Sequence, residues 1–277
     1  MQVQTPDNTQ LNVNKVGSGP VLILVPGANG TGDIFAPAAE TLKTQFTVIT
    51  YDRRGYGQTV VAQPLPPEAT QPTSSYRIDA DVADIFTLAD TFSPEAPVFI
   101  MGSSSGSIVV AKAFASQPDR FAKVAIHESP LTTVTADGAQ LQTQTADLVQ
   151  SALHGHFEAL TDLFVNQMHI QPLDAQMMGL TADAKPDPAK MKSMLFWLEY
   201  ESAQYTSQVI DWQVFADNRQ KVVLLNGTDS VAFLPQAVDE AIGQKIGVPI
   251  TTIPGGHLGY AQKPAAFAQT LAAALLQ

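Results

Sequence analysis

The stretch VFIMGSSSGSIVVAKAFA, residues 98–115, decides the fold. An apolar run, Val98 to Met101, enters a Gly-Ser-Ser-Ser-Gly turn, and an apolar segment of helical spacing leaves it. A buried strand passing through a tight turn into a helix is the opening of a βα unit. In Gly102-Ser103-Ser104-Ser105-Gly106 the glycines stand two places before and two after Ser104 alone. Such spacing leaves room for a strained turn that lifts one side chain off the end of its strand. G-x-S-x-G also arises by chance, and Gly/Ser-rich stretches are commonly loops. The flanking strand and helix are what make Ser104 a candidate nucleophile, with Ser103 and Ser107 read as small residues in a crowded turn.

Outward from this turn, short continuous apolar runs recur at Val21–Val25, Phe46–Tyr51, Val124–Ile126 and Val222–Leu225. Runs of this kind suit strands buried on both faces. Helix-period stretches lie between or after them, at Phe35–Lys43, Ile78–Thr91, Ile108–Ser116 and Pro264–Leu276. The alternation predicts an α/β fold, a mostly parallel, doubly wound sheet covered on both sides. LNVNKVGSGP reads as a hairpin strand and turn, and the proline-rich residues 63–74 as an exposed loop. Between 131 and 217 the buried-strand runs stop and Gln, Met, His and aromatic residues take helical spacing. That region is read as a helical cap inserted into a core made of 1–130 and 218–277, with a turn between cap helices at KPDPAK.

A serine hydroxyl needs a base to take its proton. Of five histidines, His257 in IPGGHLGY sits on a glycine-rich loop after an apolar stretch and before the last helix, which makes it the candidate base. His154, His156 and His169 fall in the presumed cap, where surface or lining roles are the plainer account. LHGH does not read as a metal site, because i and i+2 diverge on a helix, and no cofactor is called for. An oxyanion needs two backbone N–H donors. Ser105, at the start of its helix, has an N–H with no intrahelical partner. Ala28, in the loop VPGANG after the first buried strand, is the candidate for the second.

Two acids compete to orient His257. Glu128 follows the strand AKVAI at the carboxyl edge of the sheet, where open α/β folds place their ligand site, and burial there asks for a partner. Asp229 follows the strand VVLLNG. An ion pair for Glu128 and a turn or helix cap for Asp229 are the plainer readings of each.

Taken together, LVPGANG, YDRRGYGQT, GSSSG and PGGHLGY resemble the α/β-hydrolase superfamily over nearly the whole chain. IHESP is similar to the His-Glu-Pro-like segment of a bacterial subgroup. The resemblance implies that Asp52 and Arg53 anchor loops. It also implies an acid three residues past the glycine of VVLLNG, which here is Ser230, so Asp229 is one place short. Haloalkane dehalogenases among the relatives carry their acid after the strand that Glu128 follows, and the balance leans slightly to Glu128. Pro26 stands where many members have a histidine, which leaves the backbone donor intact.

A serine at the elbow excludes the carboxylate-nucleophile chemistry of dehalogenases and epoxide hydrolases. The leading expectation is therefore a carboxylesterase for small apolar or aryl esters, with Phe196, Trp197, Met177, Met178 and Met194 either packing the cap or meeting substrate. C–C bond hydrolysis, a lyase reaction or cofactor-free peroxidation would use the same triad. A non-catalytic binding protein is the third reading. The chain has 277 residues, 45% of them hydrophobic, and a formal net charge of −11, which argues against a nucleic-acid or anionic-membrane partner. Its apolar runs fall short of the roughly 20 residues that span a bilayer, and no signal-peptide pattern opens it. The expectation is a cytoplasmic protein with a small-molecule ester as partner, its oligomeric state open, a homodimer included. There is no cysteine, hence no thiol nucleophile or disulfide.

Overall fold

The computed structural model describes residues 1–181, 185 and 187–277. Eight strands form one sheet: β1 (Gln2–Gln4), β2 (Gln10–Val16), β3 (Val21–Val25), β4 (Thr47–Tyr51), β5 (Val98–Ser103), β6 (Phe121–His127), β7 (Val222–Gly227) and β8 (Ile250–Ile253). Their order is β1-β2-β4-β3-β5-β6-β7-β8, and every pairing from β4 onward is parallel, whereas β2 runs antiparallel to both of its neighbours. The apolar runs form these strands because both faces of the sheet are covered. In β3, Val21, Ile23 and Val25 enter one core, while Leu22 and Leu24 enter the other. The period of two divides a continuous apolar run between two layers.

Three helices cover the first half of the sheet, α1 (Ala36–Leu42), α2 (Tyr76–Phe92) and α3 (Ser105–Ser116). Between β6 and β7 the described residues hold only helices: α4 (Gly138–Leu153), α5 (Glu158–Thr161), α6 (Pro172–Met178), α7 (Pro188–Trp197), α8 (Ala203–Thr206) and α9 (Trp212–Asp217), with π-helical stretches at Asp162–Gln167 and Leu198–Ser202. This helical insertion has its own apolar core around Leu163, Phe164, Trp197 and Leu198, seated on Tyr56 and Phe233. After β7 come α10 (Leu234–Ile246), α11 (Gly259–Gln262) and α12 (Pro264–Leu276).

Departures from the sequence reading are local. The strand read at 98–101 continues through Gly102 and Ser103, because those residues pair with Ile126 and His127 of β6. The proline-rich loop holds a short 3-10 turn, Pro67–Thr70, and buries Ala69, since Gln204 of the insertion donates to the carbonyl of Thr70 at 3.1 Å. The turn read at KPDPAK falls partly on Pro186, outside the described residues. Asp187 caps α7, accepting from the N–H groups of Ala189 and Lys190 at 3.0 and 3.2 Å.

The chain leaves β3 toward β4 on one side and β5 toward β6 on the other, so the loops after these adjacent strands diverge. A crevice at the carboxyl ends of β3 and β5 follows, the place where open α/β sheets take ligands.

Candidate active site

Ser104 occupies that crevice between β5 and α3. Its φ is +55°, a region that L-residues reach at a cost of about 1–3 kcal/mol. The surroundings hold it there. Its N–H donates to the His127 carbonyl at 3.0 Å, and Ser107 Oγ donates to its carbonyl at 2.5 Å. A Cβ at Gly102 would come within 2.3 Å of the Gly106 carbonyl oxygen, and one at Gly106 within 2.5 Å of Val25 O. Backbone therefore occupies the space on both sides of the serine, and Ser104 Oγ bonds to no group among the described residues.

His257 lies in the loop between β8 and α11. Its Nδ1 is 2.7 Å from Glu128 Oε2, and the two side chains are buried, at 5% and 0% exposure. The carboxylate is acceptor-only, so Nδ1 carries the proton and Nε2 is left as the basic nitrogen. Burial pushes the Glu128 carboxyl up, but His257 and the neighbouring His127 outweigh it and hold it down at about 2. The other carboxylate oxygen accepts the Gly227 N–H at 2.8 Å.

Asp229 is elsewhere. It is half-exposed and paired with Lys263 Nζ at 2.6 Å, a contact that lowers its carboxyl pKa. Ser230, the position one residue on, is buried near Gly227. Glu128, leaving the adjacent strand β6, thus brings its carboxylate to the end of β7, where the resemblance expected an acid from β7 itself.

Ala28 and Ser105 line the same cavity as Ser104 and His257, and among the described residues neither of their N–H groups is bonded within the chain. The cavity, about 720 Å³, is roofed by the insertion through Met177, Met178, Met194 and Trp197. Phe196 is not part of this wall; it packs edge-on against Tyr56, with centroids 5.0 Å apart. His154, His156 and His169 are at the surface.

Several groups in and around the site have contacts that the sequence does not announce. Asp174, at the start of α6, is buried and accepts the N–H groups of His257 and Leu258 at 3.1 and 2.8 Å. Asp239, on α10, accepts from the N–H groups of Glu128 and Ser129 at 2.9 and 3.2 Å, where Glu128 takes a φ of +47°. Burial raises the Asp239 carboxyl well above the usual range. His127 is buried, with Nδ1 at 2.9 Å from Ser103 Oγ and its ring stacked over His257 at 6.1 Å. Burial lowers its pKa to about 4, so it is neutral at pH 7. Only proximity in the fold reveals these roles, because each partner lies tens of residues away in sequence.

A family model described as alpha/beta hydrolase fold matches residues 20–264. The chain belongs to the α/β-hydrolase fold family. Among its relatives, this α/β-hydrolase is 24% identical over 266 residues to the uncharacterized hydrolase YraK of Bacillus subtilis, covering 92% of this chain and 88% of the relative. It is 23% identical over 279 residues to the zearalenone hydrolase of Bionectria ochroleuca, covering 96% and 94%. In three dimensions it is similar to an esterase from Exiguobacterium antarcticum, with TM-score 0.67, 17% identity and coverage of 100% and 99%. Among the described residues no helix is long and apolar enough to cross a membrane.

Proposed function

We propose that this α/β-hydrolase is a serine carboxylesterase that turns over small apolar or aryl esters through an acyl-enzyme. One observation carries the reading: His257, 2.7 Å from the buried Glu128 carboxylate, lines one cavity with Ser104 on its strained elbow. His257 Nε2 takes the Ser104 proton as Oγ attacks the ester carbonyl carbon, and Glu128 holds the ring and stabilises the imidazolium. The oxyanion that forms accepts the N–H groups of Ala28 and Ser105. His257 then returns the proton to the departing alcohol, and water, deprotonated in turn by His257, releases the acid and restores Ser104. The methionines and Trp197 over the cavity suit an apolar acyl or aryl group. The activities of two proteins it resembles, a zearalenone hydrolase and an esterase, support hydrolysis as the reaction class.

A panel of p-nitrophenyl esters tests this with the wild type and three variants. Ser104→Ala abolishes turnover. Glu128→Gln lowers kcat on the order of 10³-fold, because the histidine loses the partner that sets its tautomer. Asp229→Asn stays within about twofold of wild type, since its partner is Lys263 at the surface. Full activity in Ser104→Ala, or a loss in Asp229→Asn as heavy as in Glu128→Gln, overturns the assignment.

A further inference from the structure

Arg53, in the YDRRGYGQT segment, is fully buried, and its guanidinium spans three partners. Nη1 donates to Asp81 Oδ2 at 2.6 Å, while Nη2 donates to Glu201 Oε2 at 2.6 Å and to the Gly27 carbonyl at 2.8 Å. Arg77, also buried, closes on the same two carboxylates, reaching Asp81 Oδ1 at 2.5 Å and Glu201 Oε1 at 3.2 Å. Tyr205 donates its hydroxyl to Asp81 at 2.9 Å. Two cations and two carboxylates balance in the buried interior. Such clusters add little net stability over apolar packing of the same volume, so stability alone does not account for this one.

The Arg53–Gly27 bond bears on the site. A trans peptide is planar, with its carbonyl and its N–H on opposite sides. Gly27 O also accepts the Gly30 N–H at 3.0 Å, and the guanidinium adds a second hold on it, which together turn the Ala28 N–H the other way. Gly27 itself lies against the nucleophile: a Cβ built on it would come within 2.8 Å of Ser104 Cβ. Glu201 belongs to the π-helical stretch of the insertion, and Asp81 to α2, so three separate parts of the chain meet on this one guanidinium.

Resting on the acyl-transfer reading above, we infer that Arg53 is a positioning residue: it orients the Gly27–Ala28 peptide so that the Ala28 N–H meets the oxyanion, and Glu201 holds Arg53 in place. The insertion then acts on the reaction as well as roofing the cavity. A donor displaced from the oxyanion loses contact with the tetrahedral anion more than with the neutral ester, so the effect falls on kcat.

The test compares wild type with Arg53→Gln, Arg53→Lys and Glu201→Gln, each checked for folding by circular dichroism. It measures kcat and KM on a p-nitrophenyl ester, the pH profile of kcat/KM, and inhibition by phenylboronic acid, whose serine adduct is a tetrahedral anion. Arg53→Gln is expected to lower kcat about 100-fold and to weaken boronate inhibition by a similar factor. KM stays within about threefold and the pH midpoint does not move, because His257 and Glu128 are untouched. Glu201→Gln keeps its shape and loses its charge; a loss of about tenfold in kcat is expected there, and it decides the matter where Arg53→Gln does not fold. A folded variant that keeps kcat and boronate affinity within threefold, or one that raises KM alone, overturns the positioning role. An active Ser104→Ala sinks the acyl-enzyme reading itself, whereas an inactive Ser104→Ala beside normal Arg53 variants sinks only the inference about Arg53.

Discussion

At Gly106 a methyl group has nowhere to go, because its Cβ would come within 2.5 and 2.6 Å of the carbonyl oxygens of Val25 and Pro26. Both are backbone atoms, Val25 in the β3–β5 ladder and Pro26 just past its end, so Gly106→Ala must spread the elbow from β3. A loss of about 1–3 kcal/mol is expected in chemical denaturation, and a variant as stable as wild type contradicts the crowded-elbow account. Ser105 behaves oppositely. Its hydroxyl is buried without a partner among the described residues, so Ser105→Ala leaves the melting temperature unchanged or higher. At this scale the G-x-S-x-G spacing made Ser104 legible, since position relative to the glycines singles out one serine of four. The tasks of Ser103 and Ser107 were not legible: they bond to His127 and to the Ser104 carbonyl, contacts made only by the turn itself.

Helix α6 reaches from the insertion to the loop that carries His257 through one side chain. Asp174 takes two backbone N–H groups from the segment that carries His257, and Gln262 Nε2 donates to it at 2.6 Å. Asp174→Ala leaves these buried donors without an acceptor, at about 1–3 kcal/mol each, and frees the loop. The expected outcome is a lower melting temperature together with a fall in kcat; a variant that loses stability with full kcat shows that the clamp does not set the imidazole. The alternation of apolar runs and helical stretches made the elements themselves readable, because a doubly covered parallel sheet demands continuous apolar strands. Element ends were less so. The strand at 98–101 extends to Ser103 through pairing with β6, which no property of Gly102 or Ser103 announces.

Across the whole molecule charge is buried at several places, the Arg53–Asp81–Arg77–Glu201 cluster, the Arg54–Asp84 pair and the Glu128–His257 pair among them, and the last of these ties stability to pH. The Glu128 carboxyl is held at about 2 in the folded chain against an ordinary 4.5, so the folded state binds its proton less readily than the unfolded chain. The stability it contributes is full above about 4.5 and is lost as pH falls from there through 2. Asp84 and Asp239 are shifted upward by burial and pull in the opposite sense, so the wild-type curve alone does not isolate Glu128. The difference in unfolding free energy between wild type and Glu128→Gln does: it should shrink as pH falls from 4.5 to 2. A difference that stays constant through that range contradicts the linkage. The order of apolar runs and the spacing of glycines around Ser104 determined, from sequence alone, the α/β class, the elbow and the candidate base, since each depends on local pattern and chain order. Two acids remained open at that stage, because side-chain reach across a sheet is not a local property. Only the packed fold decided which carboxylate meets His257: β6 lies beside β7, a left-handed Glu128 backbone gripped by Asp239 turns its carboxylate inward, and Asp229 is left at the surface with Lys263.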